Sequence, residues 1–262
     1  MPFQQTDGLR YYTFEKLHAA GVKHAVFTRQ GGVSAAPYDS LNVGSTVGDE
    51  LADVRQNLQR AFTAVGRRPE SMFDSWLVHG VDVHVAHAPR PADWARPPKA
   101  DIIITDQPEV TLFMRYADCV PIVLYDPRQR AVALAHAGWR GTVARVPAVA
   151  VAALSQHYGS RPQDLLAAIG PAISAERYEV GEEVVQQVQA AFGGQASGLL
   201  PAYGESSHFD LVAANQLVLQ QAGVQNIEMA DLCTAGNPQD WFSHRGSAGR
   251  TGRFGALITL GA

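Results

Sequence analysis

Short apolar runs separated by turn residues occupy the middle of the chain, and they restrict its possible folds more than any other feature. Most of them have the length and the Val and Ile content of buried β-strands. The runs are residues 77–86, 101–105, 110–114, 121–125 and 131–135. Residues 126–129, Asp-Pro-Arg-Gln, are typical of a tight turn between the last two runs. The middle of the chain therefore predicts β-sheet structure that includes a hairpin.

Helical patterns lie on both sides of these runs. Apolar residues recur at helical spacing in residues 49–65, 143–158, 181–192 and 211–221. Strands grouped between helices favour an α+β (mixed α/β) fold over a strictly alternating parallel fold. We therefore expect mixed β-sheets covered by helices in one domain. The chain has no G-x-G-x-x-G motif after a strand and no G-x-x-x-x-G-K motif, so neither a dinucleotide site nor a P-loop is indicated.

The composition excludes several classes of partner. Hydrophobic residues make up 46% of the chain, which is enough for a large core, and the formal net charge is −4. Without a basic surplus, binding to nucleic acid or to a membrane surface is not expected. The apolar runs are far shorter than the roughly 20 residues of a membrane span, and the start of the chain does not resemble a signal peptide. We expect a cytoplasmic protein with two free thiols and a small-molecule or peptide substrate.

Three segments place a side chain that can bind a metal beside a residue where the backbone turns sharply. They are residues 77–80, 116–121 and 135–141, which contain His79, Cys119 and His136. The predicted hairpin brings Cys119 and His136 to the same end of the sheet. Two histidines and one cysteine leave the fourth position of a tetrahedral zinc ion open, as catalytic zinc sites do.

Ordinary packing explains the same residues about as well. A single histidine at a strand end is usually a hydrogen-bonded residue, and a single cysteine often behaves as a small buried hydrophobe. The three side chains are widely spaced, with no C-x-x-C or H-E-x-x-H motif to join them. The residues alone therefore leave both interpretations open.

Sequence blocks along nearly the whole chain resemble one family. The blocks HAGWRGT (136–142) and ADCVPI (117–122) resemble the signature of the YfiH-like laccase-domain proteins, a family also described as polyphenol oxidase, purine nucleoside phosphorylase or peptidoglycan editing factor. Further matching blocks are residues 28–34, 40–44, 47–49, 169–173, 178–181, 233–234, 243–245 and 251–253. The resemblance implies a single domain over residues 1–262.

The resemblance also implies a ligand set, because the family's zinc ligands fall on His79, Cys119 and His136. Two departures from the family pattern concern the surroundings of the metal. Leu77 stands where the family commonly has Gln, and Arg115 and Tyr116 precede the Ala-Asp-Cys motif in place of small residues or Thr. Zinc is the expected ion, and a single copper ion is also compatible with these ligand types.

Three activities are implied by the family names. The first is phosphorolysis of adenosine, inosine or methylthioadenosine, together with adenosine deamination; the second is phenol oxidation at copper; the third is hydrolysis or editing of cell-wall precursors. A multicopper oxidase needs H-x-H pairs for its copper cluster, and no two of the nine histidines are separated by one residue. We therefore expect a purine nucleoside phosphorylase that binds a nucleoside and phosphate, as a monomer or homodimer.

The remaining site residues follow from this activity. The H-x-E and P-C-x-x-C signatures of zinc deaminases are absent, so Asp118 is the first candidate for the general acid or base, with a turn or capping carboxylate as the alternative. Arginine suits phosphate because of its bidentate fork. Arg140 is predicted to be catalytic, and Arg29 and Arg245, together with Asn42, are predicted to bind substrate or phosphate. Each arginine is alternatively an exposed residue.

A cysteine hydrolase uses the same residues differently. Cys119 is then the nucleophile, and His136 or His79 is its base. A bound metal excludes that role, because a coordinated thiolate is not free to attack. A third alternative, a pure binding module, predicts that His79→Ala leaves the function unchanged.

Overall fold

The apolar runs form the centres of two six-stranded β-sheets in the computed structural model, which describes residues 2–91 and 96–260. The strands are β1 (Phe3–Thr6), β2 (Leu9–Tyr12), β3 (Lys23–Phe27), β4 (Met72–Asp74), β5 (Val83–Val85), β6 (Ile102–Thr105), β7 (Thr111–Tyr116), β8 (Val120–Asp126), β9 (Ala131–Ala137), β10 (Leu166–Ile169), β11 (Ala202–Tyr203), β12 (Ser206–Ser207), β13 (Asn226–Met229) and β14 (Phe254–Thr259). The α-helices are α1 (Glu15–Ala19), α2 (Leu51–Ala64), α3 (Trp139–Val143), α4 (Val146–Tyr158), α5 (Glu182–Phe192), α6 (Ala196–Leu199) and α7 (Leu211–Gln221).

Both large sheets are mixed. The first has the strand order β1-β2-β3-β14-β7-β4, and the second has the order β13-β10-β8-β9-β6-β5. The pairs β4–β7, β5–β6 and β10–β13 are parallel, whereas the neighbours at the centre of each sheet are antiparallel. This confirms the expected mixed α/β class.

The two large sheets pack face to face, which explains why their strands are apolar on both sides. In β9, Ala133 and Ala135 point to the helix-covered side of the second sheet, whereas Val132 and Leu134 point to the core between the sheets. Because successive side chains of a strand point to opposite faces, a strand that is covered on both faces is continuously apolar. The central core also contains Phe254 of β14.

Helices cover the outer faces of the two sheets. Helices α4, α5 and α7 bury Val151, Leu154, Val188 and Leu219 against the second sheet, and α2 buries Phe62 against the first. The result is a helix–sheet–sheet–helix arrangement. Strands also lie outside the predicted central group, because β1, β2 and β3 precede α2 and β10 to β14 follow α4. Among the described residues, none of the helices has the length and apolar character to cross a lipid bilayer.

Most predicted elements in the middle of the chain are confirmed, and two differ. The predicted helix 143–158 begins only at Val146, because Arg145 has a left-handed backbone and Pro147 occupies the first turn. The predicted strand 77–86 is reduced to β5, because the preceding residues form a loop around His79. Part of the predicted loop 88–99 lies outside the described residues.

The predicted hairpin is confirmed as β8 and β9. The Asp126 carboxylate accepts hydrogen bonds from the backbone N–H groups of Arg128 (2.8 Å) and Gln129 (3.1 Å), which stabilise the turn. At the other end of the hairpin, Pro121 lies opposite His136. The register therefore brings the segment just before β8 next to the end of β9.

A buried histidine in the first sheet makes folding sensitive to pH. His24 of β3 is only 5% exposed. Its Nε2 accepts a hydrogen bond from the backbone N–H of Phe14 (2.7 Å), and its Nδ1 lies 3.1 Å from the carbonyl oxygen of Val22, to which it donates. Burial lowers the pKa of His24 to about 4, with a smaller contribution from His18 in the same direction and an opposing one from Glu228. Protonation of Nε2 would direct two N–H groups at each other.

Because the folded-state pKa of His24 lies below its ordinary value of 6.5, the unfolded chain binds more protons in this pH range. The stability that neutral His24 contributes is present above about pH 6.5 and falls towards about pH 4. For this group we expect a free energy of unfolding about 2 kcal/mol lower at about pH 5 than at about pH 7.5. Urea unfolding of the wild type and of His24→Gln at both pH values measures the effect. His157→Gln, at an exposed histidine, is the control; equal pH dependence in all three proteins would contradict the prediction.

Candidate metal centre

His79, Cys119 and His136 converge at one end of the second sheet. Their ligand atoms all lie within 4.8 Å of one another. His136 is buried, Cys119 is partly buried and His79 is exposed, so the cluster opens to the surface on one side. Within residues 2–91 and 96–260, this is the single group of three or more His, Cys, Asp or Glu side chains arranged to hold a metal ion.

The β8–β9 hairpin positions two of the three residues. Cys119 immediately precedes β8, and the pairing of Val120 with Ala137 places it beside the end of β9, where His136 lies. Asp118, just before Cys119, has a left-handed backbone with φ 88°. This turn redirects the chain as it leaves β7 and enters β8.

A loop before β5 supplies the third residue. His79 itself has a left-handed backbone with φ 59°, an uncommon conformation for a residue with a side chain. The backbone N–H groups of Val78, His79 and Gly80 donate hydrogen bonds of 3.0, 3.0 and 2.9 Å to the carboxylate of Asp101. These three bonds hold the loop in place, because they satisfy donors that have no strand partner.

Asp101 also holds His136. Its Oδ1 accepts a hydrogen bond from His136 Nδ1 (2.9 Å), and its backbone oxygen accepts one from the N–H of His136 (2.8 Å). With the proton on Nδ1, the lone pair of His136 Nε2 is free for a metal, as in other carboxylate–histidine pairs. Asp101 is fully buried. Burial raises its pKa, but the hydrogen bonds from His136 and the loop outweigh burial and lower it.

Asp101 is a site residue that was not predicted from the sequence. The available signal was its position directly before three isoleucines of the predicted strand 101–105, where an acidic side chain is buried only if it has partners.

The electrostatics of the cluster favour an ionised cysteine. Burial raises the pKa of the Cys119 thiol, but the positive charge and the hydrogen bonds of His136 and His79 together lower it. For His136, burial lowers the pKa, but the charge of Cys119 and the hydrogen bond with Asp101 raise it. Since the thiolate is the form that binds metals and acts as a nucleophile, Cys119 is suited to either role.

Gly138 lies close to two of the three residues. It is the N-cap of α3, directly after β9, with φ −75° and ψ 179°. A Cβ atom at this position would lie 3.0 Å from Cys119 Sγ and 3.0 Å from His79 Cδ2. The absence of a side chain at Gly138 therefore allows the ligand-bearing segments to approach each other.

The donor set fits a single zinc ion. Two imidazole nitrogens and one thiolate are zinc ligands of the type found in catalytic sites, where a fourth position is left for water or substrate. The same donors are compatible with a single copper ion. His79, Cys119 and His136 are the residues that would hold the ion, and Asp101 would orient His136.

The Asp118 carboxylate is buried beside the cluster and engaged on both oxygens. Oδ1 accepts a hydrogen bond from Thr234 Oγ1 (2.6 Å), and Oδ2 accepts one from the backbone N–H of Arg245 (2.7 Å). Asp118 therefore joins the segments 233–234 and 243–245 to the residue before Cys119. The acid–base role predicted for Asp118 stays a prediction.

Arg140 and Arg245 lie close enough to one phenol to affect its pKa. Burial and then the charge of Cys119 raise the pKa of Tyr178 to about 12, whereas the charges of Arg245 and Arg140 oppose this shift. The Arg245 guanidinium lies 5.0 Å from the centre of the Tyr178 ring, and its Nη1 donates to the carbonyl oxygen of Glu179 (2.8 Å). The Arg140 guanidinium lies 4.6 Å from the centre of the Trp139 ring.

Arg29 and Asn42 are engaged in contacts that hold loops together. Arg29 Nε donates to the carbonyl oxygen of Asp39 (2.6 Å), Nη1 donates to that of Pro238 (3.1 Å), and Nη2 pairs with the Asp39 carboxylate (3.1 Å). Asn42 is fully buried. Its amide nitrogen donates to Gly44 O and Asp49 Oδ2, and its amide oxygen accepts from the N–H groups of Gly44 and Arg253.

The second cysteine lies outside the cluster. Both cysteines are free thiols. Cys233 Sγ accepts hydrogen bonds from the backbone N–H groups of Gly236 (3.2 Å) and Ser174 (3.4 Å). Its contacts are consistent with a structural role in the turn that precedes the Thr234 bond to Asp118.

A mixed α/β fold with a His–Cys–His cluster at one end of a sheet defines a protein with a candidate metal centre. Residues 23–261 match the family model described as "Multi-copper polyphenol oxidoreductase laccase". The chain belongs to this family, which confirms the resemblance based on the sequence blocks.

Solved structures with the same fold cover the whole chain. A crystal structure of YlmD from Geobacillus stearothermophilus has a TM-score of 0.92 and 32% sequence identity, and covers 100% of this chain and 99% of that one. A crystal structure of the hypothetical protein YfiH from Bacillus licheniformis has a TM-score of 0.89 and 30% identity, with 99% of both chains covered.

Curated relatives carry the name of an enzyme. A Deinococcus radiodurans protein named purine nucleoside phosphorylase is 39% identical over 239 residues, which cover 91% of this chain and 89% of the relative. The Bacillus subtilis protein named purine nucleoside phosphorylase YlmD is 34% identical over 248 residues, covering 89% of this chain and 86% of the relative. These names support an enzyme that acts on a small molecule.

Proposed function

We propose that this chain is a zinc-dependent purine nucleoside phosphorylase that acts on adenosine, inosine and methylthioadenosine, with adenosine deamination as a second reaction. The observation that carries the proposal is the convergence of three ligand atoms within 4.8 Å of one another, beside a group of arginine side chains. The names of the Deinococcus and Bacillus relatives support the choice of reaction. The two free thiols, Cys119 and Cys233, support a reducing compartment such as the cytoplasm, where thiols stay unpaired.

Phosphorolysis exchanges one bond at the anomeric carbon of the sugar. A phosphate oxygen forms a bond to C1′, the bond from C1′ to purine N9 breaks, and its electron pair leaves with the purine. For inosine and hydrogen phosphate, the phosphate proton ends on the purine, and the products are hypoxanthine and ribose 1-phosphate. The protein must therefore hold an anion near C1′ and assist the departure of the base.

In the proposed reaction, the metal ion and the side chains of this site have different tasks. Bound zinc would supply a Lewis acid that stabilises developing negative charge. Arg140 and Arg245 supply positive charge on the side of Tyr178, and the raised pKa of Tyr178 keeps its phenol a hydrogen-bond donor. Asp118 fixes the segment that carries Arg245, since its carboxylate accepts the Arg245 N–H. Arg29 and Asn42 act through the loops that they hold.

A cysteine hydrolase is the second candidate, and one observation favours it. Cys119 contacts His136, and His136 Nδ1 donates to the buried carboxylate of Asp101 (2.9 Å). A nucleophile, a base and a group that orients the base are the elements of a hydrolytic triad. In this reaction the Cys119 thiolate attacks an amide carbonyl carbon of a cell-wall peptide, the C–N bond breaks, and the amine leaves with a proton from His136. Water then hydrolyses the thioester, which releases the acid and restores the thiol.

Metal content and phosphate dependence distinguish the two functions. We expect purified wild-type protein to contain about one zinc ion per chain and to release hypoxanthine and ribose 1-phosphate from inosine only when inorganic phosphate is present. Cys119→Ser should lose zinc and at least about 100-fold of the activity, because a hydroxyl is a much poorer zinc ligand than a thiolate. Metal analysis and chromatography of the products measure both.

Cys233→Ser is the matched control, because it changes the thiol outside the cluster. This variant should keep zinc and activity. A zinc-loaded wild type that cleaves no purine nucleoside would contradict the proposed function. A metal-free wild type that loses peptide hydrolysis after alkylation of Cys119 would establish the hydrolase instead.

A further inference from the structure

Arg253 is held rigidly just before β14. Its backbone N–H donates to the amide oxygen of Asn42 (2.8 Å), and its backbone oxygen accepts a hydrogen bond from the N–H of Val43 (3.0 Å). Its side-chain stem lies against Gly44, where an added Cβ would be 2.8 Å from Arg253 Cγ. The saturated hydrogen bonds of Asn42 thus serve to position Arg253.

The Arg253 guanidinium is partly buried without a carboxylate partner. Nη1 donates to the carbonyl oxygens of Thr251 (3.1 Å) and Gly252 (2.9 Å). Among residues 2–91 and 96–260, no ion pair includes Arg253, and the hydrogen bonds of its guanidinium involve Nη1 alone. Burial lowers the pKa of Arg253, and the negative charges of Cys119 and Asp118 oppose the shift. Because Nε and Nη2 have no acceptor among the described residues, this guanidinium can bind an anion through its fork.

The same region contains two further guanidinium groups. Arg140, Arg245, Cys119 and Asp118 all act on the phenol of Tyr178, and Cys119 and Asp118 also act on Arg253. The geometry agrees, because Phe254, next to Arg253, pairs with Tyr116 at the end of β7, and the Arg245 N–H donates to the Asp118 carboxylate (2.7 Å). Arg253 and Arg245 therefore both adjoin the segment that leads from β7 to Cys119. In contrast, all three guanidinium nitrogens of Arg29 already bind Asp39 and Pro238.

We propose that Arg253 binds the phosphate co-substrate beside the metal centre, and that Arg140 and Arg245 supply further positive charge there. This inference rests on the proposed phosphorylase function. A phosphate dianion matches the planar fork of arginine, whose Nε and Nη2 donate in parallel to two oxygens. Phosphate bound there lies on the side of Cys119 and Asp118, where the reacting sugar carbon must also be placed.

Kinetics with inosine and inorganic phosphate test the role of Arg253. We expect Arg253→Gln to raise the KM for phosphate by about 10- to 100-fold, since a charge-assisted hydrogen bond contributes about 1.5–3 kcal/mol. The KM for inosine should stay within about twofold, because the group removed contacts the other substrate. Arg253→Lys keeps the charge but loses the fork, and should fall between wild type and Arg253→Gln. Arg55→Gln, at an exposed arginine of α2, is the matched control.

A second measurement does not depend on turnover. Inorganic phosphate should raise the thermal unfolding midpoint of the zinc-loaded wild type and of Arg55→Gln. The same phosphate concentration should raise the midpoint of either Arg253 variant much less. If Arg253→Gln does not fold, Arg253→Lys supplies both readouts. If the Arg253 variants keep the wild-type KM for phosphate and the wild-type phosphate-induced shift, the role of Arg253 is overturned and the phosphorylase function is not. A wild type that is stabilised by phosphate but cleaves no nucleoside would overturn the phosphorylase function and retain the anion site.

Discussion

Replacing Asp101 with asparagine is expected to weaken zinc binding by about 10- to 100-fold, the usual cost of losing the group that orients a metal-ligating histidine. The carboxylate accepts four hydrogen bonds, three from the loop that carries His79 and one from His136. Asparagine offers one acceptor oxygen, and its amide nitrogen would face N–H donors. Each buried donor left without an acceptor costs about 1–3 kcal/mol. Two of the three metal ligands therefore lose their support in a single substitution.

The matched control for Asp101 is another buried carboxylate. Asp74 is 2% exposed, and it pairs with Arg90 (2.6 Å) and Arg115 (2.7 Å). Asp74→Asn should lower the free energy of unfolding but leave the zinc dissociation constant unchanged. Competition with a chromogenic chelator gives this constant for both variants, and ¹⁵N NMR reports the tautomer of His136. Wild-type zinc affinity in a folded Asp101→Asn protein would refute the orienting role.

Gly138→Ala is expected to disturb the metal centre by steric contact. The added methyl group would lie 3.0 Å from Cys119 Sγ and from His79 Cδ2, so both side chains must move by a few tenths of an ångström. Metal geometry tolerates such changes poorly, because ligand distances lie within about 0.2 Å of their usual values. We expect zinc affinity to fall about 10-fold or more and turnover to fall at least as much. Absorption of the cobalt-substituted protein reports the cysteine ligand directly.

The chain contains a closely matched control for this substitution. Gly181 is the N-cap of α5 with φ −82° and ψ 173°, almost the backbone conformation of Gly138. A Cβ atom at Gly181 has no heavy atom within 4 Å. Gly181→Ala therefore carries the same helix-capping cost without the contact. Equal metal affinity in the two alanine variants would rule out the steric explanation.

The part of the site that the sequence predicts is the part built by one hairpin. The Asp126 turn and the flanking apolar runs predict β8 and β9, and their pairing brings Cys119 close to His136. This proximity needs only local information, since the turn residues that join two consecutive strands determine their register.

The position of His79 required information that spacing does not contain. His79 reaches the cluster because of its left-handed backbone and because its loop is bound to Asp101, 22 residues away in sequence. Such tertiary contacts have no periodic signal, and the family resemblance supplied the third ligand instead. The break before α4 was missed for a similar reason, because the left-handed conformation of Arg145 has no strong signal in its residue type.

Arginine roles were the least predictable feature. A residue type and a neighbouring motif do not reveal which guanidinium groups are already engaged. Arg29 is bound to loop carbonyls and to Asp39, whereas Arg253 has no carboxylate partner in residues 2–91 and 96–260. The difference depends on which distant segments fold against each arginine, and only the three-dimensional contacts contain it.

The place of β14 has a consequence for biosynthesis. This strand comes late in the chain, yet it lies between β3 and β7 in the middle of the first sheet. A nascent chain emerging from the ribosome therefore presents two unpaired strand edges until residues 254–259 are available. Arg245 and Arg253 emerge equally late. The site is thus complete only after residues 245–259 have been synthesised, and chains that stop before residue 254 are expected to aggregate rather than retain partial activity.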